Sequence, residues 1–196
     1  MRYTGPKWRI NRREQTTVLG KSDKWKRRMT LPGQFPTLSK RPSDYAIQFR
    51  EKQKVKRMYG MSESQFVKFY NLAKKSPGNT STRLLQLLEL RMDNVLYKMG
   101  FAETRAQARQ FITHGHVKLN EGKHNIPSTI LKVGDEITVR EELVKNVKII
   151  EEQNKGVFVP TWIEKLDKGG KVKAEPARNE IDQLIKEQLI IELYSR

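Results

Sequence analysis

Cysteine is missing from all 196 residues. No disulfide, thiolate metal site or thiol nucleophile is therefore available, and the chain suits a reducing compartment. Histidine is scarce too: His114, His116 and His124 are all there are, and they fall within eleven positions. Long apolar runs are lacking. Nothing approaches the ~18 residues of a membrane-spanning helix, and no N-terminal apolar segment resembles a signal peptide. These absences predict an intracellular chain with no membrane partner. Acidic side chains are few, 22 against 39 Lys and Arg, for a net charge of +17. Such an excess must be matched by a polyanion, because self-repulsion otherwise opposes compaction, and nucleic acid is the expected partner.

The charge is uneven. Residues 1–58 carry +13, residues 59–173 carry +6, and residues 174–196 carry −2. One end is made for phosphate and the other is not. Residues 1–42 hold seven Pro and Gly and no sustained apolar period, with Trp8 and Trp25 among cations in KWRINRR and KWKRR. Ordering each residue costs roughly 1–2 kcal/mol, so this stretch reads as a basic extended arm that wraps RNA, its indoles stacking or packing.

From Asp44 the pattern turns helical, with Gly60 at its end. Arg50, Lys52, Lys54, Lys56 and Arg57 crowd this helix, too many for a merely solvated face. Ser62-x-x-Gln65 is a capping box opening a helix whose stripe is Phe66, Phe69, Tyr70 and Ala73. Ser76-Pro77-Gly78-Asn79 breaks it. A single helix is predicted from about Thr82 to Met99, its core stripe Leu84, Leu88, Met92, Val95 and Met99. Gly100 stops it, and the box Thr104-x-x-Gln107 opens a short one. After Gly115 the period changes to strand, with Val117 and Leu119 inward. Asn120-Glu121-Gly122-Lys123 reads as a hairpin turn, and Ile137 and Val139 mark another strand. Further β segments are predicted around Val147–Ile150 and Val157–Val159. Residues 167–177 read as loop, and a last amphipathic helix uses Ile181, Leu184, Ile185 and Leu189.

His-Gly-His beside a strand raises a metal site. Zinc takes about four ligands, commonly Cys or His at fixed spacing. Here thiolates are lacking, the two histidines flank a helix-to-strand corner, and no His-Glu-x-x-His exists. No metal and no cofactor are expected. Arg91-Met92-Asp93 resembles the Arg-Leu-Asp of pseudouridine synthases, whose aspartate is the nucleophile, but it lies in a leucine-rich segment and a structural aspartate beside an arginine is preferred. With no P-loop, Gly-x-Ser-x-Gly or dinucleotide fingerprint, the chain is read as not an enzyme. RNA binding accounts for more. Arg105 and Arg109, four apart, share a helix face, with Gln107, Gln110 and His114 on a neighbouring strip and Ala108, Phe111 and Ile112 inward. Such a face can grip phosphates and 2′-hydroxyls by shape.

The stretch GFAETRAQARQFITHGHVKLNEGKHNIPSTILKVGDEITV resembles the RNA-binding module named after ribosomal protein S-four, the alpha-L motif. Several proteins share it, including tyrosyl-tRNA synthetases and pseudouridine synthases. The flanks RYTGPKWRINRRE, SDYAIQFREKQKVKRMYG, GNTSTRLLQLLELRMDNVLYKMGFAETRA, PTWIE and LIIELYSR are similar to the ribosomal protein S-four family itself, in order along nearly the whole chain. The resemblance implies an α+β fold: residues 1–42 as the arm, a helical domain 43–83 completed by the C-terminal helix in 176–196, and a second domain 84–175. That second domain would hold the alpha-L helix pair and small antiparallel sheet at about 91–150.

The resemblance also implies a structural constituent of the small ribosomal subunit. It would bind the 5′ domain of 16S rRNA, nucleate assembly of the subunit body and, with ribosomal proteins S-five and S-twelve, contribute to translational accuracy. In some bacteria, proteins of this family also repress translation of their own messenger. By position, Arg2, Tyr3, Arg12 and Arg13 match the family's RNA-embedded arm. Arg50, Lys54, Lys56, Arg57 and Tyr59 match its basic helix and turn. Arg91, Arg105, Gln107, Arg109, Gln110 and His114 match the module's RNA-facing surface. Lys40 and Arg41 match the loop bordering the messenger entry channel. Asp44, Gln48, Glu187 and Glu192 match the side meeting ribosomal protein S-five. Many relatives hold zinc with arm cysteines, the first pair corresponding to Trp8 and Asn11 here, so zinc is not implied. An RNA-modifying enzyme using the module and a non-ribosomal binding factor are the alternative readings.

Overall fold

The computed structural model describes residues 3–20, 23–34, 41–141 and 159–195. Two compact units form, one from Met1–Ser81 with Gln183–Arg196 and one from Thr82–Asp182.

In the first unit the stretch expected to be extended is partly helical: α1 spans Lys7–Glu14, followed by a 3-10 turn at Asp23–Arg27. A polar hub orders it. The Asn11 side chain is fully buried, accepts from the Val18 and Leu19 N–H groups at 3.1 and 2.9 Å, and donates to the Leu19 carbonyl at 3.0 Å. One amide thus satisfies backbone groups that burial would leave unpaired. Ile10, Val18 and Trp25 are buried, and the Trp25 indole donates to Thr17 Oγ1 at 2.7 Å. Of the two arm tryptophans, Trp25 therefore packs while Trp8 stays exposed.

Helix α2 spans Asp44–Met58 and α3 spans Glu63–Lys75. Their N-caps are Ser43, accepting from the Ala46 N–H, and Ser62, accepting from the Gln65 N–H. Each satisfies an orphan donor of the first turn. The α3 stripe Phe66, Phe69, Tyr70 and Ala73 is buried as its spacing predicts. Helix α4, Thr80–Glu89, leads out of this unit. The unit's other end is α7, Glu187–Ser195, which packs on α2. It is shorter than predicted, and Ile181, Leu184 and Ile185 precede it in non-helical chain. The cause lies on α2: Glu51 accepts the Lys186 N–H at 2.9 Å, and Lys54 donates to the Leu184 carbonyl at 2.7 Å. These bonds engage the backbone there before the helix begins.

In the second unit the predicted helix 82–99 is two helices. After α4, Arg91 is extended (φ −65°, ψ 137°) and caps α5, Met92–Lys98. Here the backbone bonds to a distant segment: the Leu131 N–H to the Leu90 carbonyl and the Met92 N–H to the Thr129 carbonyl, both 2.9 Å. The stripe Leu84, Leu88, Met92, Val95 and Met99 is buried throughout. The apolar period crosses a break that tertiary pairing imposes.

Helix α6, Arg105–Thr113, packs on α5 and is capped by Thr104, which accepts from the Gln107 N–H. Gly115, at φ 72°, turns the chain into β1 (Val117–Leu119). The turn to β2 (Gly122–Lys123) has Asn120 and Glu121 at φ 47° and 67°, the conformation of a tight hairpin. With β3 (Glu136–Val139), β4 (Ile163–Leu166) and β5 (Gly169–Val172) the strands form an antiparallel sheet ordered β2-β1-β3-β5-β4. Strand β5 lies where loop was predicted. It begins Gly169-Gly170 because a Cβ there would meet the Ile137 carbonyl oxygen at 1.9 Å and the Glu164 one at 2.6 Å. Two glycines carry no alternation to read. The β segment expected at Val147–Ile150 lies outside the described residues, and of the one at Val157–Val159 only Val159 is described, in no strand. The core joins Met92, Val95, Leu96 and Met99 to Ile112, Val117, Ile137, Val139, Trp162 and Val172.

Candidate nucleic-acid interface

In the first unit the cations of α2 are engaged within the fold. Glu14, its side chain 2 % exposed, accepts from Arg57 at 2.5 Å and faces Arg50 at 3.4 Å. Burial pushes the Glu14 carboxyl up and outweighs the downward pull of Arg50, Arg57 and Arg13. Burial likewise lowers the Arg50 guanidinium. The two arginines keep 38 % and 32 % of their side chains exposed, so each offers a face outward while Glu14 fixes the other. Lys54 pairs with Glu51 at 2.8 Å, and Lys56 and Lys52 pair with Glu63 at 2.8 and 2.5 Å. Burial works against the Glu63 carboxylate, but hydrogen bonds and charge from the two lysines win and hold its pKa at about 2. Tyr194 also donates to Glu63 at 3.1 Å, and burial, then the carboxylate charge, push its phenol up.

Other residues expected at this surface divide. Arg12 clamps the backbone through the Thr30 and Leu31 carbonyls at 2.9 and 3.2 Å, and Arg13 reaches the Pro32 carbonyl at 3.3 Å. Tyr3 and Arg41 are exposed. Tyr59 is corrected: it is fully buried in the core after α2 and offers nothing to a ligand. Gln48 is buried too, its amide donating to Glu192 at 2.8 Å, which ties α2 to α7. Asp44 and Glu192 are exposed and Glu187 half-buried. Arg2 and Lys40 lie outside the described residues. Not singled out by position, Lys7, Arg9, Lys24, Arg27 and Arg28 are exposed on α1 and around the 3-10 turn. The basic runs around Trp8 and Trp25 pointed to the stretch but not to which side chains stay outside.

In the second unit α5 holds the arginines of α6. Asp93, 1 % exposed, receives a bidentate grip from Arg91 at 3.0 and 2.7 Å, and Arg109 donates twice to its Oδ2 at 3.1 and 2.6 Å. Arg105 donates to Asn94 Oδ1 at 2.7 Å and lies 4.8 Å over the Tyr97 ring. Asn94 in turn donates to the buried Glu89 carboxylate at 2.8 Å. Planar guanidiniums bound this way are pre-organised, so little rotamer freedom remains to be lost on binding. Arg91 is corrected: it is 1 % exposed and neutralises Asp93 instead of facing outward. Gln107 has a capping role, its side-chain oxygen accepting the Glu103 N–H at 2.8 Å. Gln110 and His114 are exposed, and Arg109 keeps 18 % of its side chain open. His124 bonds Thr129 at 2.6 Å. Among the described residues no cluster of His, Asp and Glu converges as a metal site.

The arrangement offers fixed cations, amides and an imidazole to an anion. Residues 2–89 match the family model described as ribosomal protein S4/S9 N-terminal domain, and residues 90–137 match the S4 domain. The chain is 48% identical over 206 residues to small ribosomal subunit protein uS4 of Delftia acidovorans. It is 46% identical over 204 residues to uS4 of Francisella tularensis subsp. holarctica and 44% over 208 residues to uS4A of Alkaliphilus metalliredigens. Each match covers 100% of this chain and 99% of the relative. No described helix is long and apolar enough to cross a membrane. The α+β chain therefore belongs to the uS4 family of small-ribosomal-subunit proteins, which are not enzymes.

Proposed function

We propose that this chain is a structural constituent of the small ribosomal subunit that binds the 5′ domain of 16S rRNA and nucleates assembly of the subunit body. The observation that carries the reading is the match to uS4 proteins, which covers 100% of this chain and 99% of each relative and runs through both units. The surface chemistry supports it. Exposed cations crowd α1 and the 3-10 turn, and α6 presents Arg105, Arg109, Gln110 and His114 from a rigid base. Affinity then comes chiefly from phosphate contacts and falls steeply with salt. Specificity comes from fitting a folded junction.

The finer assignments belong to the same proposal. Lys40 and Arg41 border the messenger entry channel, and Asp44, Glu187 and Glu192 face ribosomal protein S-five, where the −2 end of the chain meets protein instead of RNA. With S-five and S-twelve the chain contributes to accuracy. The residues 1–42, 43–83 with 176–196, and 84–175 are the functional divisions.

The test is binding of the transcribed 5′ domain across a salt series, with footprinting of the bound RNA. Arg105→Ala with Arg109→Ala should weaken binding and flatten the salt dependence by about 1.4 to 1.8 in the log–log slope, at 0.7–0.9 per phosphate contact. Unchanged affinity and slope would remove α6 from the interface.

A further inference from the structure

Strand register places two lysines of the second unit directly opposite each other: Lys118 on β1 is the cross-strand partner of Lys123 on β2. Both are exposed, on the sheet face away from Val117, Ile137, Val139 and Val172. Among the described residues neither has an ion-pair partner, and Glu121 in the intervening turn pairs with neither. Like charges on opposed strand positions repel and lower the stability of the free protein. Arg140 continues this end of the face, its N–H bonded to the His116 carbonyl at 3.0 Å. At the other end Lys171 stands in register between Glu136 and Glu164, and Lys173 pairs with Glu164 at 3.4 Å, so charge there is balanced. The surplus is local to β1, β2 and the end of β3.

This surface is continuous with the exposed strip of α6. Gln110 and His114 lead to Gly115, which turns the chain so that His116, just before β1, and Lys118 on it follow at two-residue spacing. The His114 and His116 rings are 6.3 Å apart across the corner. We infer that the outer face of the β1–β2 hairpin, Lys118 and Lys123 with Arg140 beside them, is a second phosphate-binding surface of this chain, onto which the RNA held by α6 continues past the His114–His116 corner. The inference rests on the rRNA-binding reading. The like-charge pair is then relieved only when RNA phosphates lie over it.

The test compares wild type, K118Q/K123Q, K118R/K123R and a charge-matched control, K74Q/K75Q, at exposed lysines ending α3. Each binds the transcribed 5′ domain over a salt series, and each is melted without RNA. For K118Q/K123Q we expect several-fold weaker binding and a log–log salt slope shallower by about 1.4 to 1.8, with a melting temperature equal to or above wild type. The arginine pair should retain affinity, and the control should leave the slope near wild type. Unchanged affinity and slope in K118Q/K123Q overturn the inference, as does an equal loss in the control, which would mark bulk charge. Intact RNA binding with weaker retention in whole subunits also overturns it, since the face would then meet a protein. If wild type itself fails to bind the 5′ domain, the rRNA-binding reading fails instead, and that outcome is separate.

Discussion

Glu63 shows how single residues here do two things at once. Its carboxylate collects Lys52, Lys56 and Tyr194, drawing α2, α3 and α7 together. Its pKa is held at about 2 against an ordinary 4.5. A carboxyl depressed in the folded state stabilises above its unfolded pKa, and that contribution is lost as pH falls through the folded value. The shift alone would imply roughly 3 kcal/mol at 1.36 per unit. The side chain is 44 % exposed, however, and solvent screening brings this to about 1 kcal/mol. Wild type should therefore exceed Glu63→Gln in urea stability by about that margin at pH 7. The margin should shrink from about pH 4.5 downward and vanish near pH 2. A margin that widens on acidification would contradict the assignment. Glu14, whose carboxyl burial pushes up despite three arginines, is the opposite case: there the role is to seat Arg50 and Arg57, at an electrostatic cost.

At the scale of elements, the decisive feature is the break between α4 and α5. It frees Arg91 from the helix and lets its guanidinium turn onto Asp93, where Arg109 of α6 also lands. Removing one member of a buried pair leaves the other uncompensated, at about 3–5 kcal/mol. Asp93→Ala should lose that much in urea unfolding, because it removes the buried carboxylate that Arg91 and Arg109 both grip. A loss under about 1 kcal/mol would show that the pair is not what locks α5 to α6. The same geometry explains why α6 could be read from sequence only in part. The spacing of Arg105 and Arg109 marks one face, and that face exists. Sequence has no means of showing that Asn94 and Asp93 hold its inner edge. Arg91 and Tyr59 were candidates by position, and burial removes both.

For the whole molecule, the sign of the charge agrees with a ribosomal-protein family, and its size overstated the free charge. Many α2 cations balance Glu14, Glu51 and Glu63. Among the described residues, exposed cations remain on α1 and the 3-10 turn, on α3 and on the β1–β2 hairpin. An integral subunit protein should remain with small subunits through a high-salt sucrose cushion, whereas a loosely bound factor should leave. Recovery of the chain in the supernatant would reject the structural-constituent proposal.

What local chemistry encodes was legible from the sequence alone. Helices α3 and α6 announce themselves by Ser62 and Thr104 at their N-caps and by apolar stripes, α2 by the helical pattern from Asp44 to Gly60, and the β1–β2 turn by Asn120 and Glu121 before Gly122. These signals act within a few residues, so the chain carries them whatever surrounds it. Tertiary structure alone decided the rest: the α4–α5 break made by backbone bonds to residues 129–131, strand β5 with its two glycines, the early chain before α7, and the helix in the arm built on Asn11. It also decided which cations face water. Each of these depends on groups far apart in sequence meeting in a buried place, where an unpaired carbonyl or guanidinium is costly, and that cost is set by the partner, not by the residue.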